Sequence, residues 1–157
     1  CDFTGSDLTN SSFNNCEFVS CGIILSKINN VKFNYTNFVG CKVAGINFSN
    51  ANKFFLIFNF DRCLIRQCEF SDLKIPKVEF LTCEFDATDF VGTNLKESSF
   101  KKSRFKDSLF QRCDMRESNF LGAEGFNIDP SDSNVIKARF NRNNLAGLVS
   151  TFGVKIE

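Results

Sequence analysis

The sequence predicts a solenoid, a rod whose backbone turns a corner once every five residues. Three observations predict it. An apolar residue recurs at every fifth position, all eight cysteines share one phase of that period, and the aromatic content is 21 Phe against one Tyr and no Trp. A period of five matches neither the helical 3.6 nor the strand value of 2. Phenylalanine has no polar handle, so this usage points to rings sealed in a core rather than set on a wet surface.

The first tract runs Phe3, Leu8, Phe13, Phe18, Ile23, Ile28, Phe33, Phe38, Val43 and Phe48. The second runs from Phe60 through Ile65, Phe70, Ile75, Phe80, Phe85, Phe90, Leu95, Phe100, Phe105, Phe110 and Met115 to Phe120. Fifteen of the 21 phenylalanines fall on these positions. Two residues before each apolar centre the side chain is usually small, and this is the phase that holds Cys1, Cys16, Cys21, Cys41, Cys63, Cys68, Cys83 and Cys113. Chance placement in one nominated phase has odds of roughly one in five to the eighth power. The cysteines therefore read as small buried fillers, and without a CxxC pair a zinc site is a poor reading.

Stretches such as Cys1-Asp2-Phe3-Thr4-Gly5, Ser6-Asp7-Leu8-Thr9-Asn10, Thr88-Asp89-Phe90-Val91-Gly92 and Ser118-Asn119-Phe120-Leu121-Gly122 resemble the pentapeptide-repeat proteins. Their consensus is a small residue, Asp or Asn, Leu or Phe, then two polar residues. The resemblance covers about residues 1–122. It implies an all-β fold, a right-handed quadrilateral β-helix with four pentapeptides per coil. Twenty residues per coil would stack Phe18, Phe38, Phe60, Phe80, Phe100 and Phe120 on one face. Cys1, Cys21, Cys41, Cys63, Cys83 and Ser103 would form a column on another. About six coils at ~4.8 Å give a rod roughly 28 Å long.

The elements outside the strict repeat follow in chain order. Phe48 to Phe60 is two residues longer than the period allows, so a bulge or loop lies within 49–59. It contains Phe54-Phe55-Leu56-Ile57-Phe58, an uncharged run of high β propensity, expected to be buried against the rod or against a partner. Residues 123–157 read as a C-terminal cap and possible dimerisation element. Asp129-Pro130 marks a turn that ends the last coil, and Asn144 is placed to cap a short helix. Leu145, Leu148, Val149 and Phe152 give that helix one apolar stripe, a candidate cap and candidate dimer interface. Gly153 is a stop, with Val154-Lys155-Ile156 as an extended tail.

Charge is ordered along the chain although 19 basic and 18 acidic residues leave a net of only +1. Residues 69–89 carry Glu69, Asp72, Glu79, Glu84, Asp86 and Asp89 against Lys74 and Lys77. Residues 96–106 carry Lys96, Lys101, Lys102, Arg104 and Lys106 against Glu97. Twenty-residue spacing places Glu84 beside Arg104, and Asp86 between Arg66 and Lys106, as cross-strand ion-pair ladders. The acidic zone and Phe54, Phe55 and Leu56 are the candidate partner-binding residues.

Much chemistry is absent from the sequence. With no histidine, the commonest general base, the commonest zinc ligand and every histidine-containing triad are removed. No phosphate loop or nucleophile elbow occurs, and a filled rod has no pocket. A catalyst is not expected, nor is a cofactor or metal. The small net charge argues against direct nucleic-acid binding, and no run of 18 apolar residues spans a membrane. A cytosolic setting with reduced thiols is expected. The chain opens on Cys1 with neither Met nor signal peptide, so its numbering is expected to begin inside a longer chain.

Gly125-Phe126-Asn127-Ile128-Asp129-Pro130, Lys137-Ala138-Arg139-Phe140 and Phe152-Gly153-Val154-Lys155-Ile156 are similar to the C-terminal block of the quinolone-resistance branch of that family, which includes the Qnr proteins and McbG. That resemblance implies a homodimer joined through its C-terminal helices. It also implies a DNA gyrase or topoisomerase IV partner, protected from quinolones or a peptide toxin by mimicry of DNA. Duplex DNA carries one negative charge per ~1.7 Å, and a rod at net +1 does not match that field along its whole length. The alternative is a scaffold or interaction module for a different protein.

Overall fold

The computed structural model describes residues 1–155. Every strand pairing in it is parallel, as a coil stacking on its own continuation requires. One sheet comprises β1 (Ser12–Asn14), β2 (Glu17–Val19), β4 (Lys32–Val39), β6 (Leu56–Asp61) and β8 (Phe80–Leu81). The other comprises β3 (Gly22–Ile24), β5 (Lys42–Ala44), β7 (Leu64–Arg66), β9 (Glu84–Asp86) and β10 (Arg104–Lys106). Isolated parallel bridges such as Glu69↔Asp89 and Lys74↔Asn94 extend the same ladder through the remaining segments. The result is a right-handed quadrilateral β-helix ending in one short helix, α1 (Ala146–Val149).

Its four walls follow from the register. Phe3, Ile23, Val43, Ile65, Phe85 and Phe105 centre the first wall; Leu8, Ile28, Phe48, Phe70, Phe90 and Phe110 the second. Phe13, Phe33, Leu56, Ile75, Leu95 and Met115 centre the third, and Phe18, Phe38, Phe60, Phe80, Phe100 and Phe120 the fourth.

Corners explain the period. The fifth residue of a repeat takes a left-handed backbone, as at Asn10 (φ 63°), Leu25 (φ 52°), Arg62 (φ 53°) and Glu117 (φ 61°). A β-to-left-handed step redirects the chain within one residue, whereas a straight strand would leave the coil. Left-handed geometry is unfavourable for a side chain with a Cβ, so the stacked coils must hold it in place. Where Asp or Asn precedes the apolar centre it assists: Asp7 accepts from the Thr9 N–H at 3.0 Å, Asn94 from Lys96 and Asn119 from Leu121.

The interior is a set of ring ladders. Phe18, Phe38, Phe60, Phe80, Phe100, Phe120 and Phe140 stack with successive centroids 4.7–5.3 Å apart. Phe48, Phe70, Phe90 and Phe110 form a second ladder at 4.5–5.1 Å, meeting the first edge-on. The small-residue column is small because its atoms work in a narrow space. The Cys41 Sγ donates to the Phe18 carbonyl at 3.1 Å, and Ser103 Oγ to Phe80 at 2.8 Å. The Cys83 backbone N–H in turn donates to Ser103 Oγ at 2.9 Å. All eight cysteines are free thiols.

The ladder continues past residue 122. Arg104↔Glu124, Asp114↔Asn134 and Asn119↔Arg139 are paired, and the Phe140 ring lies 5.1 Å from Phe120. A count of five from Phe120 lands on Gly125. A Cβ there would strike the Phe105 carbonyl, so Phe126 supplies the buried ring instead. That break of phase hides the last coil from a periodicity count.

Candidate functional site

The bulge is more elaborate than a two-residue insertion. Register with the preceding coil is twenty residues as far as Asn52, whose N–H donates to the Val31 carbonyl. It becomes 23 at Phe33↔Leu56 and 22 at Thr36↔Phe58. Three residues, Lys53, Phe54 and Phe55, are therefore added, and one is removed opposite Tyr35. Phe58 then occupies the position that Thr36 holds one coil earlier, a ring in the small-residue column.

The apolar run there divides by side. Leu56 and Phe58 are buried, Phe55 and Ile57 are exposed, and Phe54 is 92% exposed. Of the two expected kinds of burial, against the rod or against a partner, the first holds for Leu56 and Phe58 and fails for Phe54, Phe55 and Ile57. The added residues lift Phe54 and Phe55 off the wall, and only the alternate positions of β6 face inward. The Lys32 ammonium lies 5.2 Å from the Phe55 ring centroid, a cation–π contact.

The six acidic candidates do not form one patch. Glu69, Asp72 and Asp89 lie on the second wall, with Glu69 and Asp89 in register. Burial and the facing Glu69 raise the Asp89 carboxyl above its ordinary range. Glu84 and Asp86 lie on the first wall, around the corner from Asp89. Asp86 is 3.9 Å from both Arg66 and Lys106, as the spacing indicates. Glu84 is in register with Arg104, but the Arg104 guanidinium pairs with Glu124 at 3.6 Å. Glu79 is isolated from the others on the fourth wall.

The C-terminal stripe also divides. Leu148 packs against the core and Val149 is half-buried, while Leu145 and Phe152 are exposed. Asn144 does not cap α1. Its Nδ2 donates to the Ala123 carbonyl at 2.5 Å, tying the tail to the last coil, and Leu145 holds the cap position without a side-chain bond. Gly147 lets the helix close on Phe126, since a Cβ there would meet that residue's carbonyl and ring. Gly153 ends the segment with a left-handed φ of 65°. Ile156 of the expected tail lies outside the described residues.

Reading charge along the chain misses its distribution by wall. The lysines at 32, 53 and 74 share the third wall with Tyr35 and the bulge. Their spacing of about one coil was the available signal. Among the described residues no group of three or more His, Cys, Asp or Glu is placed to hold a metal ion. None of the described helices is long and apolar enough to cross a membrane.

The fold is a parallel β-solenoid with a packed interior, its charged and exposed apolar side chains set on the outer walls. The chain belongs to the pentapeptide-repeat family: residues 58–149 match the profile described as a pentapeptide repeat region. Two solved structures of trypsin-treated QnrB1 variants, described as a plasmid-mediated fluoroquinolone resistance protein, share the fold. They superpose with TM-scores of 0.74 and 0.68 at 16% and 17% identity, each over 100% of this chain and 86% of the other. Among curated proteins none matches the chain.

Proposed function

We propose that this protein is a non-catalytic binding protein that engages DNA gyrase or topoisomerase IV in the cytoplasm and protects the enzyme from quinolones or a peptide toxin. The observation that supports the reading is the superposition of the chain, over its full length, on a fluoroquinolone resistance protein. Glu69, Asp72 and Asp89 supply its acidic face, with Glu84 and Asp86 continuing around the corner. One or two carboxylates per ~4.8 Å coil supply roughly a third to two-thirds of the charge density of DNA, and over two coils only. The mimicry is thus partial. Phe54 and Phe55 lie on a different wall and act as a separate contact, whereas Leu56 is buried in the core and does not take part. The exposed Leu145 and Phe152, with Leu148 and Val149 beneath them, join two copies tail to tail.

The test is gyrase supercoiling with the purified protein, with and without a fluoroquinolone. Rescue at stoichiometric protein is expected, lost on joint neutralisation of Glu69, Asp72 and Asp89 but retained in Glu79→Gln. Rescue that survives the triple neutralisation overturns the acidic-wall mechanism. No effect on either topoisomerase favours the second reading, a scaffold for another protein, to which the bare Phe54 ring at the bulge already points.

A further inference from the structure

The third wall has the opposite character to the acidic second wall beside it. Across coils 31–35, 51–57 and 73–77 its outward positions carry Lys32, Lys53, Lys74 and Lys77 and no acid. Lys77 is neutralised by Glu97 at 3.6 Å. Among the described residues Lys32, Lys53 and Lys74 have no ion-pair partner. Between the bulge and the following coil runs a groove with Tyr35, Phe54 and Ile57 on one bank and Lys74 and Pro76 on the other. Tyr35 is 61% exposed and Ile57 44%.

We propose that this groove docks a short acidic segment of a partner protein, in which carboxylates alternate with apolar side chains. The carboxylates meet Lys53 and Lys74, and an apolar side chain lies against Phe54 and Ile57. Charge complementarity selects that occupant over a nucleic-acid strand. Basic residues with exposed rings also suit single-stranded nucleic acid, but a phosphate backbone must continue past one wall. Beyond the corners it meets Glu69 and Asp72 on one side and Glu79 on the other, where Asp61 is already paired with Arg62 at 3.1 Å, and like charges in apposition repel. A short segment ends before reaching them. The inference shares Phe54 with the proposed function but uses no residue of the acidic second wall, so neutralising Glu69, Asp72 and Asp89 and reversing Lys53 and Lys74 test the two readings separately.

The experiment is fluorescence anisotropy with the full chain and three labelled probes: a peptide alternating Glu with Phe and Leu, its Gln-for-Glu counterpart, and oligothymidylate. Binding of the acidic peptide is expected, weakening as salt rises, with little binding of the other two. Joint Lys53→Glu and Lys74→Glu reversal should weaken it about tenfold or more, and Phe54→Ala about as much. Lys101→Glu with Lys102→Glu, on the fourth wall, should leave it unchanged. All these side chains are exposed, so unchanged melting of each variant separates a lost contact from a lost fold. Preference for oligothymidylate overturns the proposal in favour of nucleic acid. Binding indifferent to Lys53 and Lys74, or no binding of the acidic peptide, overturns it outright.

Discussion

At the scale of single residues, position in the rod decides what a side chain contributes. Phe80 is fully buried at the crossing of two ring ladders, so Phe80→Ala should cost about 3–5 kcal/mol, measured by denaturant unfolding. Phe13, only partly buried near the first coil, should cost clearly less. The buried thiols should behave as inert fillers. Burial pushes Cys68 and Cys113 up to about 11, and the neighbouring Cys63 thiol followed by burial raises Cys41. The thiolate is the reactive form. An alkylating reagent at neutral pH should therefore label Cys1 and Cys16 first and reach the other six only on unfolding. Labelling of Cys68 or Cys113 in the native state would contradict that. The carboxylates divide by sign. Asp7 and Asp129, hydrogen-bonded by Thr9 and Ser131, are held below the usual range, so their stabilisation is present at neutral pH and lost as pH falls through their pKa. Asp89 is raised, so its charged form opposes folding above the ordinary carboxylate pKa. Asp89→Asn should raise the melting temperature at pH 7, an advantage that fades as acid protonates the native carboxyl.

At the scale of elements, the coil was legible because its cause is local and repeated. Each fifth position must be apolar to reach the axis, each corner redirects the chain through a left-handed residue, and the column residues are mostly small, Phe58 being an exception at the bulge. A residue count gives only the net change of phase, however. At the bulge it yields two, where the chain adds Lys53, Phe54 and Phe55 and then drops one residue opposite Tyr35. At the last coil the exchange of Gly125 for Phe126 interrupts the count although the coil continues. The helix depends on a close approach that no apolar pattern reveals. Gly147→Leu should lift α1 from Phe126 and remove the carbonyl that the Ile128 N–H uses at 2.8 Å. The expected loss is about 1–2 kcal/mol, with faster amide exchange at Ile128. Unchanged protection there would mean that the helix does not rest on this contact.

At the scale of the whole molecule, the candidate sites were legible as residues but not as surfaces. A run of acids in sequence is wound around a rod, which sends Glu69, Asp72 and Asp89 to one wall, Glu84 and Asp86 to the next and Glu79 to a third. The lysines, dispersed in sequence, converge on the wall beside the acidic one. Net charge near zero therefore conceals two neighbouring faces of opposite sign. The tail adds a third surface, and it carries the last prediction. α1 has only four residues, so its own stability is negligible. Leu148 anchors it to the coil, yet Leu145 and Phe152 remain 43% and 58% exposed on the same segment. A tail-to-tail dimer would cover both. Light scattering of the purified protein should give twice the chain mass, and Leu145→Glu with Phe152→Glu should halve it without lowering the melting temperature of the coils. A monomeric parent protein at micromolar concentration would leave the tail as a cap alone, and would require any topoisomerase protection to come from a single rod.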